Sequence, residues 1–158
     1  MKKMILSSLS ILGGAAAAAV AVRQVMKKEV EAQWRISEKH LALYRMMDQW
    51  VAIKQQGKNL ADYFEKMQYK VIAVYGMSYA GLRLAEELEN SNIEIKYGID
   101  KNAEAICSDI DVVTMQDQLT EVDAVVVTPI AFFNEIEKEL SEKLDCPIIS
   151  LEDILYEI

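Results

Sequence analysis

From residue 71 onward, short apolar runs alternate with amphipathic stretches. Val71-Ile72-Ala73-Val74-Tyr75 is apolar throughout and rich in β-branched residues, as a strand buried on both faces should be. Over residues 79–90, Leu82, Ala85 and Leu88 recur three apart with Leu84 beside them. Arg83, Glu86, Glu87 and Glu89 fall elsewhere, which predicts an amphipathic helix. Asn90-Ser91-Asn92 stops it with turn formers. Ile93, Ile95, Tyr97 and Ile99 then alternate with more polar residues, and this second strand ends at Asp100. Residues 111–114 read as a weak third strand and 116–119 as a turn or short helix. Residues 122–128 (VDAVVVT) form a strong fourth strand ending at Pro129. Residues 131–144 predict a helix with Phe132, Phe133, Ile136, Leu140 and Leu144 inward. Residues 147–150 predict a last strand and 151–158 a terminal helix. Alternating strands and helices of these lengths predict an α/β fold. Right-handed crossovers give five parallel strands in the order 3-2-1-4-5.

Residues 23–56 contain neither proline nor glycine and predict one long helix. Val30, Trp34, Leu41, Tyr44, Met47 and Val51 recur at spacings of three and four, with Ser37 interrupting. Leu43, Met46, Trp50 and Ile53 widen the stripe. One face therefore seeks a partner, and packing on the protein's own α/β domain is preferred over a short coiled coil. Gly57 is placed to end this helix. Asn59 caps a short helix over residues 60–67, with Leu60, Tyr63, Phe64 and Met67 as its apolar face.

The connection between the first strand and its helix has chemistry of its own. Gly76-Met77-Ser78-Tyr79-Ala80-Gly81 is G-x-S-x-x-G, one residue from the dinucleotide-binding fingerprint G-x-G-x-x-G. Gly76 permits the tight turn and Gly81 lets helix and strand approach. The middle position, which normally admits a pyrophosphate, is Ser78; its Cβ narrows that approach and its hydroxyl offers a hydrogen bond. Asp100 falls at the spacing at which the fingerprint expects an acid for a ribose hydroxyl. The mouth of such a sheet lies at the strand ends where the order reverses, between the first and fourth strands. Gly76, Met77, Ser78, Tyr79, Gly81, Asp100, Lys101 and Thr128 are therefore the candidate ligand-binding residues, with Thr114 and Ser150 at neighbouring strand ends. A strand-end Thr before Pro is also ordinary turn chemistry. Asp100 favours a free ribose hydroxyl, hence NAD or a nucleoside diphosphate sugar over a 2′-phosphorylated cofactor. Only Asp100, Tyr79 and Lys101 offer acid or base chemistry there, and no catalytic residue is assigned.

Residues 4–22 carry no charge and as a helix would span about 28 Å, close to a hydrocarbon core of about 30 Å. Lys2 and Lys3 precede this segment, and Arg23, Lys27 and Lys28 follow it. It reads as a transmembrane anchor, with a cleaved signal peptide or a peripheral helix as alternatives. The expected organisation is an anchor at 1–22, a helical stalk and connector at 23–69, and the α/β domain at 70–158. The expected location is the cell membrane, single-pass, with the domain in the cytoplasm. The net charge of −8 divides into +5 over residues 1–69 and −13 over 70–158. So acidic a domain is a poor partner for nucleic acid, whereas the basic part suits an anionic lipid surface. Cys107 and Cys146 form no C-x-x-C motif and read as small buried hydrophobes. With His40 the only histidine, and among charged neighbours, a metal centre is not expected.

The glycine turn, the "ID" strand end at Ile99-Asp100 and the V-V-T-P strand end at 126–129 together resemble the small Rossmann-like domains of bacterial cell-surface polysaccharide biosynthesis. Such domains precede the catalytic part of sugar acyltransferases and of nucleotide-sugar epimerases and dehydratases. The resemblance implies a nucleotide-sugar or NAD ligand. The β-helical acyltransferase part is absent. Membrane segment, stalk and domain together are similar to Firmicute proteins in which such a domain stands alone. The expectation is a membrane-tethered, non-catalytic nucleotide or nucleotide-sugar binding module. The alternatives are a structural protein using a ligand-free scaffold, with the stalk joining copies or a partner protein, and a subunit of a sugar-modifying enzyme or oxidoreductase.

Overall fold

A computed structural model gives the backbone from Lys2 and describes side chains over residues 22–158. It contains helix α1 (Lys2–Gln55), α2 (Leu60–Met67), strand β1 (Val71–Tyr75), α3 (Tyr79–Leu88) and β2 (Glu94–Ile99). β3 (Val112–Val113), β4 (Ala124–Val127), α4 (Phe133–Ser141), β5 (Ile148–Ser150) and α5 (Leu151–Glu157) follow. All strand pairs are parallel, and the five-stranded sheet has the order β3-β2-β1-β4-β5. The α/β fold and its strand order are thus as expected from the alternation of patterns. One irregularity interrupts the β1–β2 ladder, where Ile72 faces Ile95 but Ala73 faces Tyr97.

The chain divides into two units, Met1–Leu41 and Ala42–Ile158. In the second, the end of α1 belongs with the sheet. Met46, Trp50 and Ile53 are buried in one core with Leu60, Phe64, Leu84, Leu88, Leu151, Ile154 and the sheet residues Ile72, Val74, Ala124 and Val126. Full burial of such side chains stabilises by about 1.5–3 kcal/mol each. The other sheet face, Ala73, Tyr75, Tyr97, Ile99, Val125 and Val127, is covered by Ile136, Leu140 and Leu144 and by Met115.

Two apolar expectations are corrected. The stripe that docks is the one through 46, 50 and 53. Tyr44 and Val51 remain exposed, as do Val30, Trp34 and Leu41 in the first unit. The reason is angular: Met46, Trp50 and Ile53 sit three to four apart on a face turned away from Tyr44 and Val51. Met67 and Phe132 are exposed rather than inward. Met67 lies in the last turn of α2, and Phe132 closes a single 3-10 turn (Ile130–Phe132) ahead of α4.

Both early helices end in a left-handed residue. Gly57 has φ +74°, and the Gly57 and Lys58 amides donate to Lys54 O and Ile53 O. Gln68 has φ 63°, and the Gln68 and Tyr69 amides donate to Glu65 O and Phe64 O. Asn59 Oδ1 accepts from the Ala61 amide, as its capping role requires. At the start of β1 the Asp123 carboxylate accepts from the Lys70 and Val71 amides. The Val71 and Lys70 hydrogen bonds hold its pKa below the ordinary carboxylate value.

The expected membrane segment 4–22 lies outside the residues described with side chains, except Val22, which is exposed. Among the described residues, no helix is long and apolar enough to cross a membrane.

Candidate functional site

The turn after β1 is built as its glycines demand. Gly76 has φ +89°, and a Cβ there would lie 2.6 Å from Thr128 Oγ1 and 2.7 Å from Pro129 Cδ. A Cβ on Gly81 would collide with the Gly76 carbonyl oxygen. Gly76 donates its amide to Ile99 O at 2.8 Å, which pins the turn to the end of β2. Its carbonyl accepts from Thr128 Oγ1 at 2.7 Å, a buried bond that pins it to the end of β4. The turn thus sits where the strand order reverses, and β1, β2 and β4 all hold it.

Asp100 closes the arrangement. One carboxylate oxygen accepts from the Met77 amide at 3.0 Å and the other from the Asn102 amide at 2.9 Å. Met77 is fully buried, with its thioether over Gly98, where a Cβ would lie 2.5 Å from Met77 Cγ. Ser78 and Tyr79 are exposed, Tyr79 at 80%. Ser78 precedes the first turn of α3 but makes no side-chain capping bond, so no hydroxyl covers the helix's first amides. Lys101 is exposed.

Of the eight candidate residues, Gly76, Met77, Gly81, Asp100 and Thr128 are therefore joined in one construction, and Ser78, Tyr79 and Lys101 present outward. The Thr128 proton is committed to Gly76 O. Thr114 is drawn into a turn with Asp117, and Ser150 caps α5 by accepting from the Glu152 amide. Tyr75 ends β1 next to this construction. Burial first, then the nearby Glu139 and Asp100 carboxylates, raise its phenol above the usual value, so it stays protonated at neutral pH.

A nucleotide fits these residues in part. A carboxylate has about four lone-pair positions, and Asp100 uses two, so a ribose hydroxyl could still donate to it. The amides at the start of α3 suit a phosphate by charge and direction. When bound, NAD would supply hydride chemistry and a nucleotide sugar an activated glycosyl group. The chain's own part is to hold the turn, orient the ribose and present the helix start. Cavities of about 430, 660 and 390 Å³ lie elsewhere in the second unit, none lined by the turn, Asp100 or Thr128. Among the described residues no group of His, Cys, Asp or Glu could hold a metal ion. Cys146 is half-buried, whereas Cys107 is exposed rather than buried, because it lies in the irregular connection before β3. His40 is on the surface.

Sequence reasoning missed two residues. Gly98 supplies the space that Met77 fills; a glycine inside a strand is the signal for such close approach. Glu87, at the other end of α3, is nearly buried. It accepts from Trp50 Nε1 at 2.6 Å, Lys54 Nζ at 2.9 Å and the Leu60 amide at 2.9 Å. One carboxylate thus joins α1, the start of α2 and α3. Its place three residues after Leu84, on the edge of the apolar stripe, was the available signal.

No protein-family model, no curated protein and no solved structure matches the chain.

Proposed function

We propose that the second unit is a non-catalytic binding module for a nucleotide or nucleotide sugar. Its ligand's phosphate sits at the start of α3 and its ribose against Asp100. The observation that carries this reading is the glycine turn. Strand ends brace it from both sides, while Ser78 leaves the first amides of α3 uncapped. Asp100 is engaged by two backbone amides, which suits binding better than acid–base turnover. The resemblance adds an accessory role in cell-surface polysaccharide synthesis. The uncharged segment 4–22 adds a single membrane span with the domain in the cytoplasm.

A second reading has its own support. Asp100 and Thr128 are satisfied within the protein, as they would be in a scaffold that uses the fold without a ligand. Thermal unfolding of the full chain with NAD, NADP, ATP and a panel of uridine and cytidine diphosphate sugars decides between them. Ligand at a hundredfold excess over Kd stabilises by about 2.7 kcal/mol. A rise in Tm with one of these, abolished in Asp100→Ala, supports the binding module. An unchanged Tm with every ligand, in a folded chain, supports the scaffold.

A further inference from the structure

The connection from β2 to β3 has no crossover helix. Between Ile99 and Val112 the chain makes only a single 3-10 turn, Ala103–Ala105. The flank of α3 that such a helix would cover is instead a groove of about 430 Å³. Its apolar lining includes Leu82, Ile95 and Ile110, all half-buried. Its remaining lining includes Glu86, Glu89, Glu94 and Asp109, all exposed, and no lysine or arginine. It is a half-apolar trough whose charged lining residues are all acids, one of which, Glu86, is already paired with Arg83 at 2.6 Å.

The first unit offers the complement. Val22, Met26 and Val30 follow one another at spacing four on α1 and are 58%, 59% and 52% exposed. Arg23, Lys27 and Lys28 stand among them, and Glu29 is the one acid in residues 22–30. Lys27 has only a long, solvent-exposed contact with Glu31 at 3.8 Å. Residues 22–30 span about 13 Å as a helix and α3 about 15 Å, so the two stripes match in length.

We propose that α1 residues 23–30 of one copy, just beyond the proposed membrane span, dock in the groove between α3 and the β2–β3 connection of a second copy. Met26 and Val30 enter the trough, and Arg23 and Lys27 meet the carboxylates of its rim. This proposal is independent of any nucleotide at the glycine turn. Donor segment and acceptor groove are different surfaces, so the contact either closes as a reciprocal dimer or propagates into rings or open chains. Exposed charges at such a rim are screened by salt, with a Debye length of about 10 Å at 0.1 M.

The test is sedimentation of the full chain in mild detergent at about 50 mM and about 500 mM salt. The expected result is assembly beyond the single-chain mass at low salt and single chains at high salt. Arg23→Glu/Lys27→Glu and Glu89→Lys/Glu94→Lys each weaken association at least tenfold. The chain carrying all four reversals recovers it, and so does an equimolar mixture of the two double variants. All four positions are exposed, so the variants fold, which circular dichroism checks. A single-chain mass at both salt concentrations overturns the proposal. So does an assembly that survives either double reversal, or one that the fourfold reversal fails to restore.

Discussion

The two ends of α3 are each held by a carboxylate, and they are held differently. At the start, Asp100 accepts from backbone amides two residues along and across the turn. Backbone atoms leave no room there: Gly81 abuts the Gly76 carbonyl and Gly76 abuts Thr128 and Pro129. At the finish, Glu87 gathers two side-chain donors and the first amide of α2. The start is a fixed piece of backbone, intolerant of a single added methyl. The finish is a side-chain clamp that loses strength by degrees. The two ends therefore differ in how they should fail.

Gly81→Ala is the severest test. In an ordinary helix the change stabilises by up to about 1 kcal/mol. Here the new methyl overlaps Gly76 O, and overpacking of that kind costs about 3 kcal/mol. Urea unfolding gives the sign directly, and a more stable variant would mean that the turn yields. Glu87→Ala comes next. It leaves Trp50 Nε1 and the Leu60 amide without their acceptor at a nearly buried site, for a loss of about 2–3 kcal/mol. Glu87→Gln keeps an oxygen acceptor and should lose about half of that. In a Trp34→Phe background, Trp50 emission should shift to the red in Glu87→Ala; an unmoved spectrum would mean that α1 stays docked without the clamp.

Thr128→Val retains shape but strips the buried Gly76 carbonyl of its donor. A loss of about 1–2 kcal/mol is expected, together with faster amide exchange over residues 76–81. Equal exchange in variant and parent would show that the amide of Gly76, bonded to Ile99, suffices. The smallest effect has the opposite sign. Gln68→Gly relieves a left-handed backbone of a Cβ and should stabilise by about 0.5–1 kcal/mol. That change lies outside both ends of α3 and is the control that separates local backbone strain from the clamp. At the edge of measurement is pH. The Asp123 pKa is lowered in the folded state, so its contribution is present above the ordinary carboxylate value and disappears as pH falls through the folded value. Asp123→Asn should flatten the acid limb of the stability profile.

How much of this was legible depends on how far apart in sequence the partners lie. The strands, their order and the turn at 76–81 follow from patterns within a few residues and from the handedness of crossovers. Asp100 stood out because a fingerprint fixes its distance from the turn. That both its oxygens bind amides was not legible, since the identity of an acid does not say which way its carboxylate turns.

The alternation of apolar and polar residues by itself determined the α/β fold, the 3-2-1-4-5 sheet and the helix ends at Gly57 and Asn59. These rest on local sterics and on burial at a period of 2 or 3.6 residues, which one stretch of chain contains entire. Only the tertiary structure decided that Met46, Trp50 and Ile53 dock while Tyr44 and Val51 do not. The same is true of Glu87 binding residues 27 to 37 positions away, and of Gly98 making room for Met77. Both apolar faces of α1 obey the same helical period, so only the surface they meet can choose between them. The surface that chose is assembled from α2, α3, α5 and the sheet, none of which α1 contains.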